Sequence, residues 1–159
     1  MPEPTVGAPA PDFRLSAVTR EGETEMALSD YQGKSSVVLY FYPKDDTPGC
    51  TAESCSFRDM LPDFEAAESA ILGISPDNTD SHRKFAEKYA LPFPLLADPD
   101  HIVAEAYGAW KERTNYGKTY WGIERSTFVI ARDGTLAKIY PRVKVEDHTA
   151  KVLAFVKTL

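Results

Sequence analysis

The sequence has only two cysteines and three histidines among its 159 residues. Its longest apolar run, Val37–Tyr42, is far shorter than the ~20 residues that a membrane-spanning helix needs. Met1–Ala10 lacks the basic start and apolar stretch of a signal peptide. We therefore expect a cytoplasmic protein with no membrane partner. In the cytoplasm thiols stay reduced, and a disulfide is more often transient and catalytic than structural.

The net charge also excludes a class of partner. Eighteen basic and twenty-four acidic side chains give a formal charge of −6. A negative chain repels the phosphate backbone, so nucleic acid is not an expected partner. The length predicts a single domain over residues 1–159, large enough to bury a core without a cross-link.

Apolar patterns predict strands that alternate with helices. The predicted strands are an N-terminal hairpin of Phe13–Ala17 and Glu23–Leu28, then Val37–Tyr42, Ile71–Ser75, Pro94–Ala97, Arg125–Ile130 and Thr135–Tyr140. The predicted helices are residues 50–69, kinked or restarted at Pro62, then Asp80–Tyr89, His101–Tyr107 and His148–Val156. This order predicts an α/β fold with a central mixed β-sheet flanked by helices.

Both cysteines lie in the stretch TPGCTAESC, residues 47–55, just after an apolar predicted strand. Thr47 suits a helix N-cap and Pro48 suits the first helical position. Cys50 then falls in the first turn, where unpaired backbone N–H groups and the helix dipole favour a thiolate. Cys50 is therefore placed where a nucleophile would be expected.

The residues alone leave four interpretations of the cysteine pair: a structural cross-link, half of a metal site, two inert buried thiols, or a redox pair. A zinc site needs about four ligands, and the histidines are scattered without ligand spacing. A cross-link over so short a segment would restrict the unfolded chain little. Buried inert thiols are common, but the helix entry favours the redox pair.

Helix geometry constrains any bond between Cys50 and Cys55. Five residues along an α-helix separate the two Cα atoms by ~8.7 Å. A disulfide needs a separation of about 4.4–6.8 Å. The first turns of the helix would therefore have to unwind before the two thiols could join.

The segment PKDDTPGC, residues 43–50, matches the peroxiredoxin pattern P-x-x-x-T-x-x-C. The longer TPGCTAESCSFRD resembles the peroxiredoxin Q, or bacterioferritin comigratory protein, subfamily. ILGISPD, YGKTYWGIERSTFVI and the later Asp133-Gly134 extend the similarity over essentially the whole chain. The resemblance implies a thioredoxin-like fold and thiol-dependent reduction of hydrogen peroxide and organic hydroperoxides, with no metal, haem or flavin cofactor.

The resemblance also implies roles for individual residues. Cys50 matches the peroxidatic cysteine, which becomes a sulfenic acid. Cys55 matches the resolving cysteine, which forms an intramolecular disulfide that thioredoxin or a glutaredoxin-like protein reduces.

Three further residues match the family's active site. Thr47 matches the residue whose hydroxyl bonds the peroxide and the sulfur, and Pro43 the one that shields the sulfenate. Arg125 matches the arginine that stabilises the thiolate and polarises the peroxide; without the resemblance it is interpreted as a surface arginine. Glu53 is expected to hold this arginine.

Two other functions use the same thiols. A peroxide-sensing redox switch would need no rapid turnover, whereas a thioredoxin-type disulfide reductase would normally carry C-x-x-C. The resembled subfamily is often monomeric, so we expect a monomer, with a dimer as the alternative.

Three remaining features predict structural roles. The aromatic residues Trp110, Tyr116, Tyr120 and Trp121 are predicted to pack in the core or a pocket wall. Asp45 and Asp46 are predicted to form a solvated turn beside the site. His82 is predicted to be exposed on a charged helix.

Overall fold

In the computed structural model, which describes residues 3–159, the chain forms nine strands and four α-helices. The strands are β1 (Arg14–Thr19), β2 (Gly22–Ala27), β3 (Ser36–Phe41), β4 (Ser69–Ser75), β5 (Leu95–Ala97), β6 (Trp110–Asn115), β7 (Lys118–Ile123), β8 (Ser126–Ile130) and β9 (Leu136–Tyr140). The helices are α1 (Pro48–Ala66), α2 (Thr79–Tyr89), α3 (Ile102–Ala106) and α4 (His148–Val156), and a 3-10 turn spans Leu28–Tyr31. Within residues 3–159, none of the helices combines the length and apolar character needed to cross a bilayer.

Seven strands form one sheet in the order β2-β1-β5-β4-β3-β8-β9. The pairs β3–β4 and β4–β5 are parallel, and the other pairs in this sheet are antiparallel. The predicted mixed sheet and the N-terminal hairpin of β1 and β2 are confirmed. The parallel strands β3 and β4 end at the same edge of the sheet, and the loops that follow them lie side by side there.

Strand β3 lies at the centre of the core and is buried at every position. Val37, Leu39 and Phe41 pack on one face of the sheet. Val38 and Tyr40 alternate with them and pack on the other face. A strand covered on both faces explains the continuous apolar run that the sequence shows.

Helices cover both faces of the sheet. The face of Val38 and Tyr40 packs against α1, α2 and α4 through Phe57, Phe64, Phe85, Val152 and Val156. The face of Val37 and Leu39 packs against Val103 and Ala104 of α3 and Tyr107 just after it. Phe13, before β1, and Leu28, in the 3-10 turn, belong to the same cluster. The rigid sheet therefore fixes the end of β3 from which the cysteine segment departs.

A restart of the first helix at Pro62, one of the two predicted effects of this proline, does not occur. Helix α1 runs unbroken from Pro48 to Ala66 with Pro62 inside it. A proline inside a helix costs about 3 kcal/mol because it removes a hydrogen bond and crowds the preceding turn. Phe57 and Phe64, one on each side of Pro62, are fully buried, and we attribute the continuous helix to this packing.

Packing in the core or a pocket wall was predicted for Trp110, Tyr116, Tyr120 and Trp121. This prediction is wrong for three of the four residues. Strands β6 and β7 form a separate two-stranded ribbon joined by a turn at Tyr116 and Gly117, which both have positive φ. Tyr116 is 97% exposed, Trp121 58% and Tyr120 47%. A ribbon of two strands leaves such side chains in solvent. Only Trp110 is half-buried, where its ring stacks on a histidine ring at a centroid distance of 3.8 Å.

We predict that Gly73→Ala destabilises the protein by about 1–3 kcal/mol through overpacking. A Cβ at Gly73 would lie 2.8 Å from Tyr40 Cζ and 2.9 Å from Leu95 Cδ2, both in the core. Gly122→Ala is the matched control, because its Cβ would meet the movable ring of exposed Tyr120 at 3.2 Å. Chemical denaturation of both variants measures the difference, and equal stabilities would contradict the packing described here.

Candidate active site

The cysteine segment begins at a tight loop, residues 43–47, between β3 and α1. Thr47 is the N-cap of α1, with extended backbone angles, and Pro48 occupies the first helical position, as predicted. The Thr47 hydroxyl donates to the Lys44 carbonyl at 2.9 Å, so it closes the loop instead of capping the helix. Pro43 is exposed at the start of this loop.

Cys50 lies in the first turn of α1 and is 1% exposed. Arg125, in the link between β7 and β8, donates from Nη2 to Cys50 Sγ at 3.3 Å. A guanidinium is always charged and only donates, so this contact favours sulfur in its thiolate form. The fold thus joins two residues 75 positions apart in the chain.

Glu53 holds the other side of the same guanidinium. Arg125 Nη1 donates to Glu53 Oε1 at 2.8 Å, and the Glu53 side chain is fully buried. Burial raises the pKa of Glu53 to about 7, outweighing the attraction of Arg125. Burial alone would lower the pKa of Arg125, but the neighbouring charges of Glu53 and Cys50 raise it overall. Glu53 Oε2 has no hydrogen-bond partner among the described residues 3–159, which agrees with a carboxyl group that gives up its proton reluctantly.

Gly49 provides the space for this arrangement. A Cβ at Gly49 would lie 3.0 Å from Arg125 Nη2. Such a contact is closer than ordinary packing allows, so a side chain would press on the guanidinium. Glycine before Cys50 therefore lets the arginine reach the sulfur.

Cys55 lies further along α1, is half-buried, and is a free thiol, as is Cys50. With α1 intact, helix geometry places the two Cα atoms ~8.7 Å apart, too far for a disulfide. Glu53 and Ser54, between the cysteines, are fully buried, and the Ser54 hydroxyl pairs with the Tyr40 hydroxyl at 2.8 Å. Unwinding this part of α1 would therefore expose two buried polar residues.

The solvated turn predicted at Asp45 and Asp46 is correct only for Asp46. Asp45 is buried, and its carboxylate meets His82 Nδ1 at 2.7 Å. The predicted exposure of His82 is also wrong, because its ring is fully buried and both of its nitrogens have partners. The burial of His82 could have been predicted from its spacing. His82 and Phe85 are three residues apart, which places both on the inner face of α2.

One cluster has the spacing of a possible cation site. Single ligand atoms of Asp45, Asp77 and His82 lie within 4.8 Å of one another. Each of these side chains already makes hydrogen bonds, either within the cluster or to neighbouring serines. The geometry is thus that of a hydrogen-bond network.

Comparison with known proteins identifies the family of this chain. Residues 6–139 match the AhpC/TSA family. The chain belongs to the AhpC/TSA family. Peroxiredoxin Bcp of Bacillus subtilis is 51% identical over 154 residues, covering 97% of this chain and 96% of that protein. The resemblance to peroxiredoxins is therefore confirmed, and the chain is a thiol peroxidase.

Solved structures agree with this AhpC/TSA assignment. A variant of Xylella fastidiosa PrxQ superposes with a TM-score of 0.90 at 36% identity, covering 99% of this chain and 98% of that one. The bacterioferritin comigratory protein of Xanthomonas campestris, described for its alkyl peroxide reduction activity, gives a TM-score of 0.85 at 40% identity, covering 92% and 90%. The predicted thioredoxin-like fold is confirmed.

We predict that Glu53 makes the protein less stable as the pH rises from about 4.5 to about 7. The folded state binds this proton more tightly than the unfolded state, so the stabilisation present at low pH is lost through the folded pKa. The wild type should lose up to about 1.4 kcal/mol per pH unit relative to Glu53→Gln over this range, and no more above it.

Urea denaturation at a series of pH values measures this difference. Glu65→Gln, on the exposed side of the same helix, is the control and should show no such trend. A wild type whose stability relative to Glu53→Gln stays constant or rises with pH would contradict the assignment of a raised pKa.

Proposed function

We propose that Cys50 is the peroxidatic cysteine and that the protein reduces hydrogen peroxide and organic hydroperoxides. The observation that carries this proposal is the contact of Cys50 Sγ with Arg125 Nη2 at the entry to α1. A thiolate is the nucleophilic form of cysteine, and this position supplies both a cation and free backbone N–H groups. The alkyl peroxide reduction activity described for the X. campestris relative supports organic hydroperoxides as substrates.

The proposed first step is attack of the Cys50 thiolate on the terminal oxygen of the peroxide. A sulfur–oxygen bond forms, the O–O bond breaks, and two electrons pass from sulfur to the peroxide. The leaving oxygen takes up a proton and departs as water or an alcohol, and Cys50 is left as a sulfenic acid.

The surrounding residues suit this step. Negative charge develops on the leaving oxygen, and one fixed donor aimed at such an oxygen is worth about 2.7–4 kcal/mol in other enzymes. We assign that donor to Arg125. Thr47 Oγ1 donates to the Lys44 carbonyl, so its lone pairs are free to accept a hydrogen bond from the peroxide O–H. Pro43 would shield the sulfenic acid from solvent.

We assign Cys55 as the resolving cysteine. Its thiolate would attack the Cys50 sulfenic sulfur, forming a disulfide and releasing the oxygen as water. The ~8.7 Å that separates the Cα atoms in the intact helix requires the start of α1 to unwind first. Unwinding would also expose the disulfide, which is necessary for its reduction by thioredoxin or a glutaredoxin-like dithiol protein.

The setting we propose is the cytoplasm, where such reductants keep thiols reduced. The acidic chain argues against nucleic acid as a partner, and a single domain acting as a monomer would be sufficient for this cycle.

Intact-mass spectrometry after one equivalent of hydrogen peroxide tests the role of Cys50. The wild type should lose two hydrogens as the intramolecular disulfide forms, whereas Cys50→Ser should be unchanged. Peroxide consumption with thioredoxin should continue over many turnovers in the wild type and stop in Cys50→Ser. Full turnover by Cys50→Ser would show that another group reacts with the peroxide.

Cys55→Ser tests the resolving step separately. It should gain one oxygen at Cys50 and then over-oxidise with excess peroxide, because the sulfenic acid has no internal thiol to meet. Its recycling by thioredoxin should be strongly impaired. Recycling at the wild-type rate would rule out Cys55 as the resolving thiol.

A further inference from the structure

The loop that carries Pro43 to Thr47 is held by a buried network on α2. Asp45 is its centre: Oδ1 accepts from the Tyr42 hydroxyl at 2.6 Å, and Oδ2 accepts from the Ser81 hydroxyl at 2.8 Å. His82 Nδ1 lies 2.7 Å from the same Oδ2. Each group is deeply placed, since His82 is fully buried and Asp45 is only 7% exposed.

The neighbours of His82 determine where its protons are. His82 Nε2 lies 2.8 Å from the Leu96 carbonyl, which can only accept, so Nε2 carries a hydrogen. The short contact between Nδ1 and Asp45 Oδ2 then needs a second proton, shared by this pair. Because Oδ1 and Oδ2 also accept from two hydroxyls, the arrangement suits an Asp45 carboxylate and a His82 imidazolium.

The groups that face the pair come from four elements. Tyr42 follows β3, and burial raises its pKa well above its ordinary value, so its hydroxyl stays a donor. Asp77, after β4, accepts from the Asp45 backbone N–H at 2.8 Å and from Ser75 at 2.7 Å. Ser81 belongs to α2, and the Leu96 carbonyl to β5. Within residues 3–159, His82 is the one basic side chain that forms an ion-pair contact with the Asp45 carboxylate.

A continuous set of contacts links this pair to Cys50. The Asp45 side chain anchors the middle of the loop, and the Thr47 hydroxyl closes the loop on the Lys44 carbonyl. The Thr47 carbonyl accepts the first hydrogen bond of α1 from Thr51 N–H at 2.8 Å. Cys50 lies within that first turn. A shift of Asp45 would therefore move the cap of the helix that carries the sulfur.

We propose that His82 is a positioning residue for the peroxidase reaction, and that its hydrogen bond with Asp45 keeps the loop and Cys50 in register with Arg125. This inference rests on the proposed role of Cys50. Without His82, the buried Asp45 carboxylate would lose this partner, and the loop would separate from α2.

The test measures the rate of the first oxidation of Cys50 by hydrogen peroxide in stopped flow at neutral pH. His82→Leu should be about ten- to a hundredfold slower than the wild type, because a small displacement of a reacting group has an effect of this size. Asp46→Asn is the control on the same loop: it weakens only the exposed contacts to Lys88 and Tyr89 and should react at the wild-type rate.

Asp45→Asn separates positioning from stability. Its amide can donate to His82 Nδ1 and accept from Tyr42, so the network keeps its hydrogen bonds without the carboxylate charge. This variant should retain most of the wild-type rate. Asp45→Ala/His82→Leu, which removes both charges together, should recover stability relative to His82→Leu but not the rate.

The outcomes separate this inference from the proposed function. A folded His82→Leu that oxidises at the wild-type rate, or an Asp45→Asn that oxidises as slowly as His82→Leu, would overturn the role of the pair while Cys50 still reacts. Reaction of peroxide with Cys50→Ser would instead overturn the proposed function.

Discussion

The site depends on one guanidinium shared between a sulfur and a carboxylate. Arg125 uses Nη2 for Cys50 and Nη1 for Glu53, and Gly49 leaves the space that allows this approach. Arg125, Glu53 and Cys50 lie in an environment with little water, where electrostatic interactions are strong and a charge is costly to bury alone. The raised pKa of Glu53 reflects that cost. The arrangement stabilises negative charge on sulfur because the cation is already fixed in place.

The proposed reaction cycle needs two opposite states of helix α1. It must be formed to present Cys50 at its first turn, and its start must unwind if Cys50 is to reach Cys55. The structure favours the formed helix through the buried Glu53 and Ser54, the latter paired with Tyr40. Local opening of this kind is expected where a functional segment lies at the edge of a rigid core, here at the end of β3. Oxidation of Cys50 would favour unwinding of the start of α1, because the new S–S bond would compensate for the contacts that the unwound turn loses.

Much of the fold and of the site could be predicted from local patterns. The apolar run of β3, the helix entry at Thr47 and Pro48, and the peroxiredoxin pattern ending at Cys50 are all short-range signals. The contact of Arg125 with Cys50 is not short-range, and only the resemblance to a family pointed to it. The continuity of α1 through Pro62, the burial of His82 and the exposed ribbon of β6 and β7 depend on tertiary packing, which local spacing does not describe.

The most direct test of the central claim is the rate of Cys50 oxidation by hydrogen peroxide in Arg125→Lys. A lysine keeps the charge, but its single ammonium cannot bridge Cys50 and Glu53 as the guanidinium does. The account predicts a rate about a hundred- to a thousandfold lower in a variant that remains folded. Oxidation of Arg125→Lys at the wild-type rate would show that the bridging guanidinium is not what activates the sulfur.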